Sequence, residues 1–121
     1  MKETAELQVE DVDGVTVVTP AAEQLTNETL ILHAGERLFA LVEKDGKRKV
    51  LIDFSVIQQT SSVFIGKLMT LQKKLERVTS SAKNLKLCGI SEDVYAGLFK
   101  ATKLYLTFDI HENREVALLE F

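Results

Sequence analysis

The stretch from Lys49 to Leu75 constrains this chain most. Val50-Leu51-Ile52 is a continuous apolar run ending in Asp53, the pattern of a strand covered on both faces. A short loop, Phe54 to Thr60, leads to Ser61-Ser62. From Val63 to Val78 apolar residues then recur at helical spacing, with Phe64, Leu68, Leu71, Leu75 and Val78 on one stripe. A buried strand, a loop and an amphipathic helix in that order form the first half of a βαβ unit, which points to an α/β fold.

The flanking sequence supplies the other elements. Leu7 and Val9 alternate with polar residues, Val15 to Val18 is β-branched, and Asp13-Gly14 lies between them, so a hairpin is expected over about 5–10 and 15–19, stopped by Pro20. Thr26 or Asn27 can cap a helix reaching about Lys44, with Ile31, Ala34, Leu38, Leu41 and Val42 on one face and Asp45-Gly46 as its stop. Leu85 to Cys88 reads as a short strand. Ser91 can cap a helix that buries Val94, Tyr95 and Leu98, a last strand is expected near 106–110, and Asn113 can cap a final helix to about Glu120. The expectation is a mixed sheet of four or five strands with four helices.

The chain has 121 residues, which suits one domain spanning 1–121 with a single core. A net charge of −3 argues against nucleic acid as a main partner, because phosphate binding leans on a basic footprint. One cysteine excludes an internal disulfide and a cysteine-based metal cluster, and His33 and His111 are isolated, so no metal site is expected. A packing role is expected for Cys88 itself. No apolar run approaches the roughly 18 residues of a membrane span. The polar start, Met1 to Glu6, has no apolar leader, and a cytoplasmic protein is expected. No catalytic constellation is present: no Gly-x-Ser-x-Gly elbow, Walker loop, His-Glu-x-x-His or Cys-x-x-Cys. The chain is therefore expected to be no enzyme and to need no cofactor.

Two serines at a helix N-terminus are a capping site and also a place where a phosphate is electrostatically welcome. Chemistry alone leaves both uses open. Asp53 reads either as a holder of loop backbone donors or as an exposed strand-end carboxylate. Lys67, Lys73, Lys74 and Arg77 make one helix face basic, which is either a solvated face or a docking surface for an acidic partner. Gly66 costs about 1 kcal/mol relative to alanine inside a helix, so close packing or a partner's approach is the reason to expect it there.

Asp53-Phe54-Ser55, followed eight residues after Asp53 by Ser61-Ser62-Val63-Phe64-Ile65-Gly66-Lys67-Leu68, resembles the signature of STAS domains, the bacterial anti-sigma factor antagonists and related transporter domains. That signature reads Asp-Ser-(Ser/Ala)-Gly-Leu-Gly. Ser61 stands at its Asp, Ser62 at its regulatory serine, Phe64 at its first Gly, Ile65 at its Leu and Gly66 at its second Gly. The resemblance extends to Leu85–Gly89 and to the tail from Phe108 to Leu119. It implies the STAS fold and a protein-interaction switch: an unmodified chain that binds an anti-sigma factor with serine kinase activity, and a chain phosphorylated on Ser62 that lets go, with a serine phosphatase to reset it. The implied contact residues are Ser61, Ser62, Val63, Phe64, Asp53 and Lys67, on a monomer or weak dimer. The departures at Ser61 and Phe64 motivate an alternative, a STAS scaffold module that binds partners without being phosphorylated.

Overall fold

The computed structural model describes residues 6–121. Asp13 and Gly14 both have positive φ (51° and 84°), as a type I′ hairpin turn requires. The turn joins β1 (Leu7–Val12) to β2 (Val15–Pro20) in antiparallel register, with Leu7 opposite Pro20 and Val12 opposite Val15. The first strand thus runs two residues beyond the expected end, and residue 5 lies outside the described residues. Pro20 is the last residue of β2, where a missing N–H is tolerated.

A two-residue strand, β3 (Gln24–Leu25), precedes α1 (Glu28–Glu43). Asn27 caps α1: its side chain accepts from the N–H groups of Thr29 and Leu30. Ile31, Ala34, Leu38 and Val42 are buried as the spacing requires, and Leu41 is half-buried. β4 (Val50–Asp53) follows, every residue buried, hydrogen-bonded in parallel to β2 on one side and to β6 (Leu85–Cys88) on the other. The continuous apolar run is explained by that position: Val50 and Ile52 face the helices, while Leu51 faces the opposite layer.

Between β4 and β6 lie β5 (Gln59–Thr60), which pairs in parallel with β3, and α2 (Ser62–Thr79). This small second sheet has no counterpart in the sequence reading, since two residues are too few for a periodicity. On α2, Phe64, Leu68, Leu71 and Leu75 are buried, joined by Ile65. Val78 corrects the expected stripe: it is 48% exposed in the last turn of α2, in a groove with Val42, Glu43 and Arg48.

After β6, Ser91 Oγ accepts from Val94 N–H and starts α3 (Glu92–Val94), which widens into a π-helical segment, Tyr95–Lys100. Val94 is buried and Tyr95 and Leu98 are half-buried, but the most deeply buried residue here is Phe99, which the sequence reading did not assign to the core. The expected strand near 106–110 is largely replaced. Lys103 takes a left-handed conformation (φ 61°), Leu104–Leu106 form a 3-10 turn, Leu106 is 73% exposed, and only Asp109–His111 forms a strand, β7. Asn113 then caps α4 (Arg114–Leu119) through Val116 N–H.

The sheet order is β1-β2-β4-β6-β7, with β1 antiparallel and the other neighbours parallel. α1 and α2 cover one face over the main core. The other face carries Val15, Val17, Leu51 and Cys88, with Ala117 of α4 packed on them. Among the described residues, four α-helices and a mixed five-stranded sheet agree with the expected α/β architecture.

Candidate functional site

The site is built where β4 ends and α2 begins. Asp53 is only 5% exposed, so it is not a strand-end carboxylate open to solvent or to a partner. One oxygen accepts from Ser55 N–H at 2.9 Å and fixes the first bend of the loop. The other accepts from Arg114 Nε at 3.2 Å and Nη2 at 3.1 Å. Arg114 Nη2 also donates to Thr19 Oγ1, and Nη1 to Glu10. Burial works against the Arg114 charge, but its hydrogen bonds to Asp53 and Glu10 outweigh that and raise its pKa. Gly89 makes room for this arrangement. Its φ is +69°, and a Cβ there would lie 2.9 Å from Asp53 Oδ1 and 3.2 Å from the Ser55 nitrogen.

The loop is pinned at its far end as well. Gln58 and Gln59 donate backbone N–H groups to Glu23 O at 2.7 and 3.0 Å, and Thr60 Oγ1 donates to Leu25 O at 2.7 Å. Beneath it Phe54 packs on Phe64 (ring centroids 5.9 Å apart) and on Phe99 (6.2 Å), and Phe99 on Phe108 (6.0 Å). Aromatic pairs of this kind contribute about 0.5–1.5 kcal/mol beyond their burial. Phe64, expected among the partner-contact residues, is fully buried; it anchors the start of α2 to the loop and cannot touch a partner.

Ser61 occupies the N-cap position in extended conformation (φ −133°, ψ 169°), yet its side chain makes no capping hydrogen bond. Its Oγ is buried without a partner among the described residues. The first turn of α2 is therefore uncapped by any side chain, in contrast to α1, α3 and α4. Ser62, the first helical residue, is exposed, and so is Val63 at 42%. Gly66 follows one turn later on the same exposed side. A Cβ at Gly66 would meet nothing within 4 Å, so packing inside this chain does not require glycine there. Lys67 is half-buried with its stem over Gly35 of α1: a Cβ at Gly35 would lie 2.9 Å from Lys67 Cδ. Lys74 pairs with Glu43 at 3.1 Å and lies 5.2 Å from the centre of the Phe39 ring. The basic face is thus narrower than the sequence suggests, with Lys73 and Arg77 as its exposed members.

The structure therefore brings Ser61, Ser62 and Val63 together at one surface, beside Gly66, and withdraws Asp53 and Phe64 from it. Arg114 is the residue the sequence reading missed. An arginine in the first turn of a helix reads as solvated, and its partners lie on three other strands. Cys88 is buried, and burial, reinforced by the Asp53 charge, pushes its thiol up to about 12. It is neutral at physiological pH and so a poor nucleophile or metal ligand. Among the described residues no three His, Cys, Asp or Glu side chains gather as a metal would need, and no helix is long and apolar enough to cross a membrane.

No protein-family model matches the chain, and no curated protein matches it. Solved structures do. A STAS-domain anti-sigma factor antagonist protein from Planctomyces limnophilus is 24% identical, with a TM-score of 0.79 over 93% of this chain and 95% of its own. An anti-sigma factor antagonist from Mycobacterium paratuberculosis is 23% identical, with a TM-score of 0.79 over 94% and 91%. The anti-sigma factor antagonist SpoIIAA, in its unphosphorylated form, is 11% identical with a TM-score of 0.69 over 95% and 96%. At these identities the likeness establishes the fold.

Proposed function

We propose that this chain, which has the STAS fold of the anti-sigma factor antagonists, is a protein-interaction switch regulated by phosphorylation of Ser62. Unmodified, it binds an anti-sigma factor with serine kinase activity; phosphorylated, it releases that partner, and a serine phosphatase restores it. It acts as a single cytoplasmic domain, monomeric or weakly dimeric, with neither nucleic acid nor membrane as a partner, and it catalyses no reaction. The exposed Ser62 at the uncapped start of α2 carries this reading.

The physical case has three parts. A kinase must reach the acceptor oxygen, and Ser62 is exposed on a loop–helix junction held at both ends by Asp53 and Thr60. A phosphate brings about −1.5 to −2 charges with strong acceptor oxygens. At this terminus the helix dipole and the N–H groups of the first turn, which no side chain occupies, accommodate that charge without unfolding the domain. The effect then falls on whatever touches Val63 and Gly66, where charge and bulk appear in the middle of the contact.

Incubation with ATP and an anti-sigma kinase, followed by peptide mapping, tests the proposal. One phosphate on Ser62 is expected, with complex formation intact for Ser62→Ala and lost for Ser62→Asp at nearly unchanged Tm. Phosphate on Ser61 or Thr60 overturns the assignment. An unphosphorylated chain whose Ser62→Asp variant binds as tightly as the parent favours the scaffold reading, to which the unusual Ser61, with its unpartnered hydroxyl, belongs.

A further inference from the structure

A surface crevice of about 380 Å³ opens beside the small β3–β5 sheet, walled on the other side by α3 and its π-helical continuation. Four neutral hydrogen-bonding side chains line it: Thr26, Gln58, Gln59 and Thr60. The one charged lining residue is Asp93. Among the described residues, the side chains of Gln58, Gln59 and Asp93 have no hydrogen-bond or ion-pair partner within the chain, whereas Thr60 is already held by Leu25 O. Val94 and Leu98 give the crevice an apolar floor. Gly97 completes the wall, and a Cβ placed there would meet nothing within 4 Å. A glycine in a helical segment is unfavourable relative to alanine, and here internal packing gives no reason for it.

This lining selects its occupant. With a carboxylate and no cation, the crevice repels anions. A neutral ligand would leave the Asp93 carboxylate without a counter-charge when it excluded water. Carboxylate, amide and hydroxyl acceptors around an apolar floor suit a planar, weakly hydrated guanidinium, whose several N–H groups need several acceptors and whose stem is apolar. We propose that this crevice receives an arginine side chain of the protein partner. The inference rests on the reading of Ser62 and its neighbours as a partner surface, and it extends that surface: Thr60 lines the crevice two residues before Ser62 in the chain. Arginine engagement here fixes the register of a partner whose kinase site must meet the Ser62 hydroxyl.

The test uses the full chain labelled with ¹⁵N and two probes, N-acetyl-arginine methylamide and its neutral isostere N-acetyl-citrulline methylamide, titrated to millimolar concentration. Amide shifts confined to Gln58, Gln59, Thr60, Asp93 and Gly97, produced by the arginine probe alone, are expected. Asp93→Asn should abolish them and Gly97→Ala should reduce them, and the spectra themselves report that both variants are folded. In the complex with the anti-sigma kinase, Asp93→Asn is expected to weaken binding about tenfold, the scale of one charge-assisted hydrogen bond. Equal shifts from both probes, or none from either, overturn the inference. The two readings fail separately. Probe binding by a chain that no kinase recognises keeps the crevice and discards the Ser62 switch. A Ser62-dependent complex in a chain that ignores the arginine probe does the opposite.

Discussion

Arg114 and Asp53, sixty-one residues apart, meet through two hydrogen bonds to one carboxylate oxygen, and so the last helix holds the loop that presents Ser62. The other Asp53 oxygen holds Ser55, which makes Asp53 the shared acceptor of two elements. Asp53→Ala is therefore expected to cost about 2–3 kcal/mol, since it strands a backbone N–H and a partly buried guanidinium. Glu10→Ala, which removes the more exposed partner of the same arginine, is expected to cost under about 1 kcal/mol. Urea melts of the two variants check the ranking, and equal losses would show that the buried carboxylate has no special part.

The core face of α2 gives a second ranking. Leu68→Ala and Leu71→Ala should each cost about 2–5 kcal/mol, because both side chains are fully buried. Lys73→Ala, Arg77→Ala and Val78→Ala should each cost about 0.5 kcal/mol or less, Val78 because it is half in solvent. Chemical denaturation of this series would reveal a different helix orientation if Val78 proved as costly as Leu71.

The helix starts differ in a measurable way. Asn27 Oδ1 accepts two backbone N–H bonds at 2.9 and 3.1 Å, so Asn27→Ala is expected to destabilise by about 0.5–2 kcal/mol. Ser61 accepts none and buries an unpartnered hydroxyl, so Ser61→Ala should be neutral or slightly stabilising. Thermal melts should show a lowered Tm for Asn27→Ala and an unchanged or slightly raised one for Ser61→Ala. A loss at Ser61 comparable to that at Asn27 would mean that its hydroxyl caps α2 in solution.

Cys88 supplies a pH signature. Its thiol is raised from about 9 in an unfolded chain to about 12 in the fold, mainly by burial. Above pH 9 the unfolded chain releases a proton that the folded chain retains, so stability falls as pH rises through the 9–12 window, while below pH 9 the contribution is fully present. Cys88→Ala should flatten that part of the stability profile. Native protein at pH 8 should also resist a thiol reagent that labels the unfolded chain rapidly, and fast native labelling would contradict the burial.

Elements with a period or a turn chemistry of their own are legible in the amino-acid sequence. The Asp13-Gly14 turn, the Asn27 cap, the doubly buried β4 and the stripe from Phe64 to Leu75 each follow from local chemistry. What is not legible depends on distant groups. Asp53 reads equally as a holder of loop backbone donors and as an exposed carboxylate; the Ser55 N–H bond bears out the first, and the burial under Arg114 and beside Gly89 is what the sequence does not show. For Phe64 the helical stripe and the resemblance pull apart, one placing it in the core and the other at the contact surface, and the fold sides with the stripe by packing it on Phe54. The apolar run from Tyr105 to Ile110 suggests a strand near 106–110, but the left-handed Lys103 and the 3-10 turn after it take up its first part, and only its end pairs, in Asp109–His111, with Asp109 bonded to the buried Lys86. The resemblance to the STAS signature is what singles out Ser62, and its exposure is what the fold adds.

The placement of α4 sets an order of events during synthesis. Val15, Val17 and Leu51 are made early and face the side of the sheet on which Ala117 packs. Until residues 114–119 have left the ribosome, that apolar side has no helix over it and Asp53 has no guanidinium. A nascent chain carrying a complete Ser62 loop is therefore still adhesive on its opposite face, and chaperones have their opportunity in that interval.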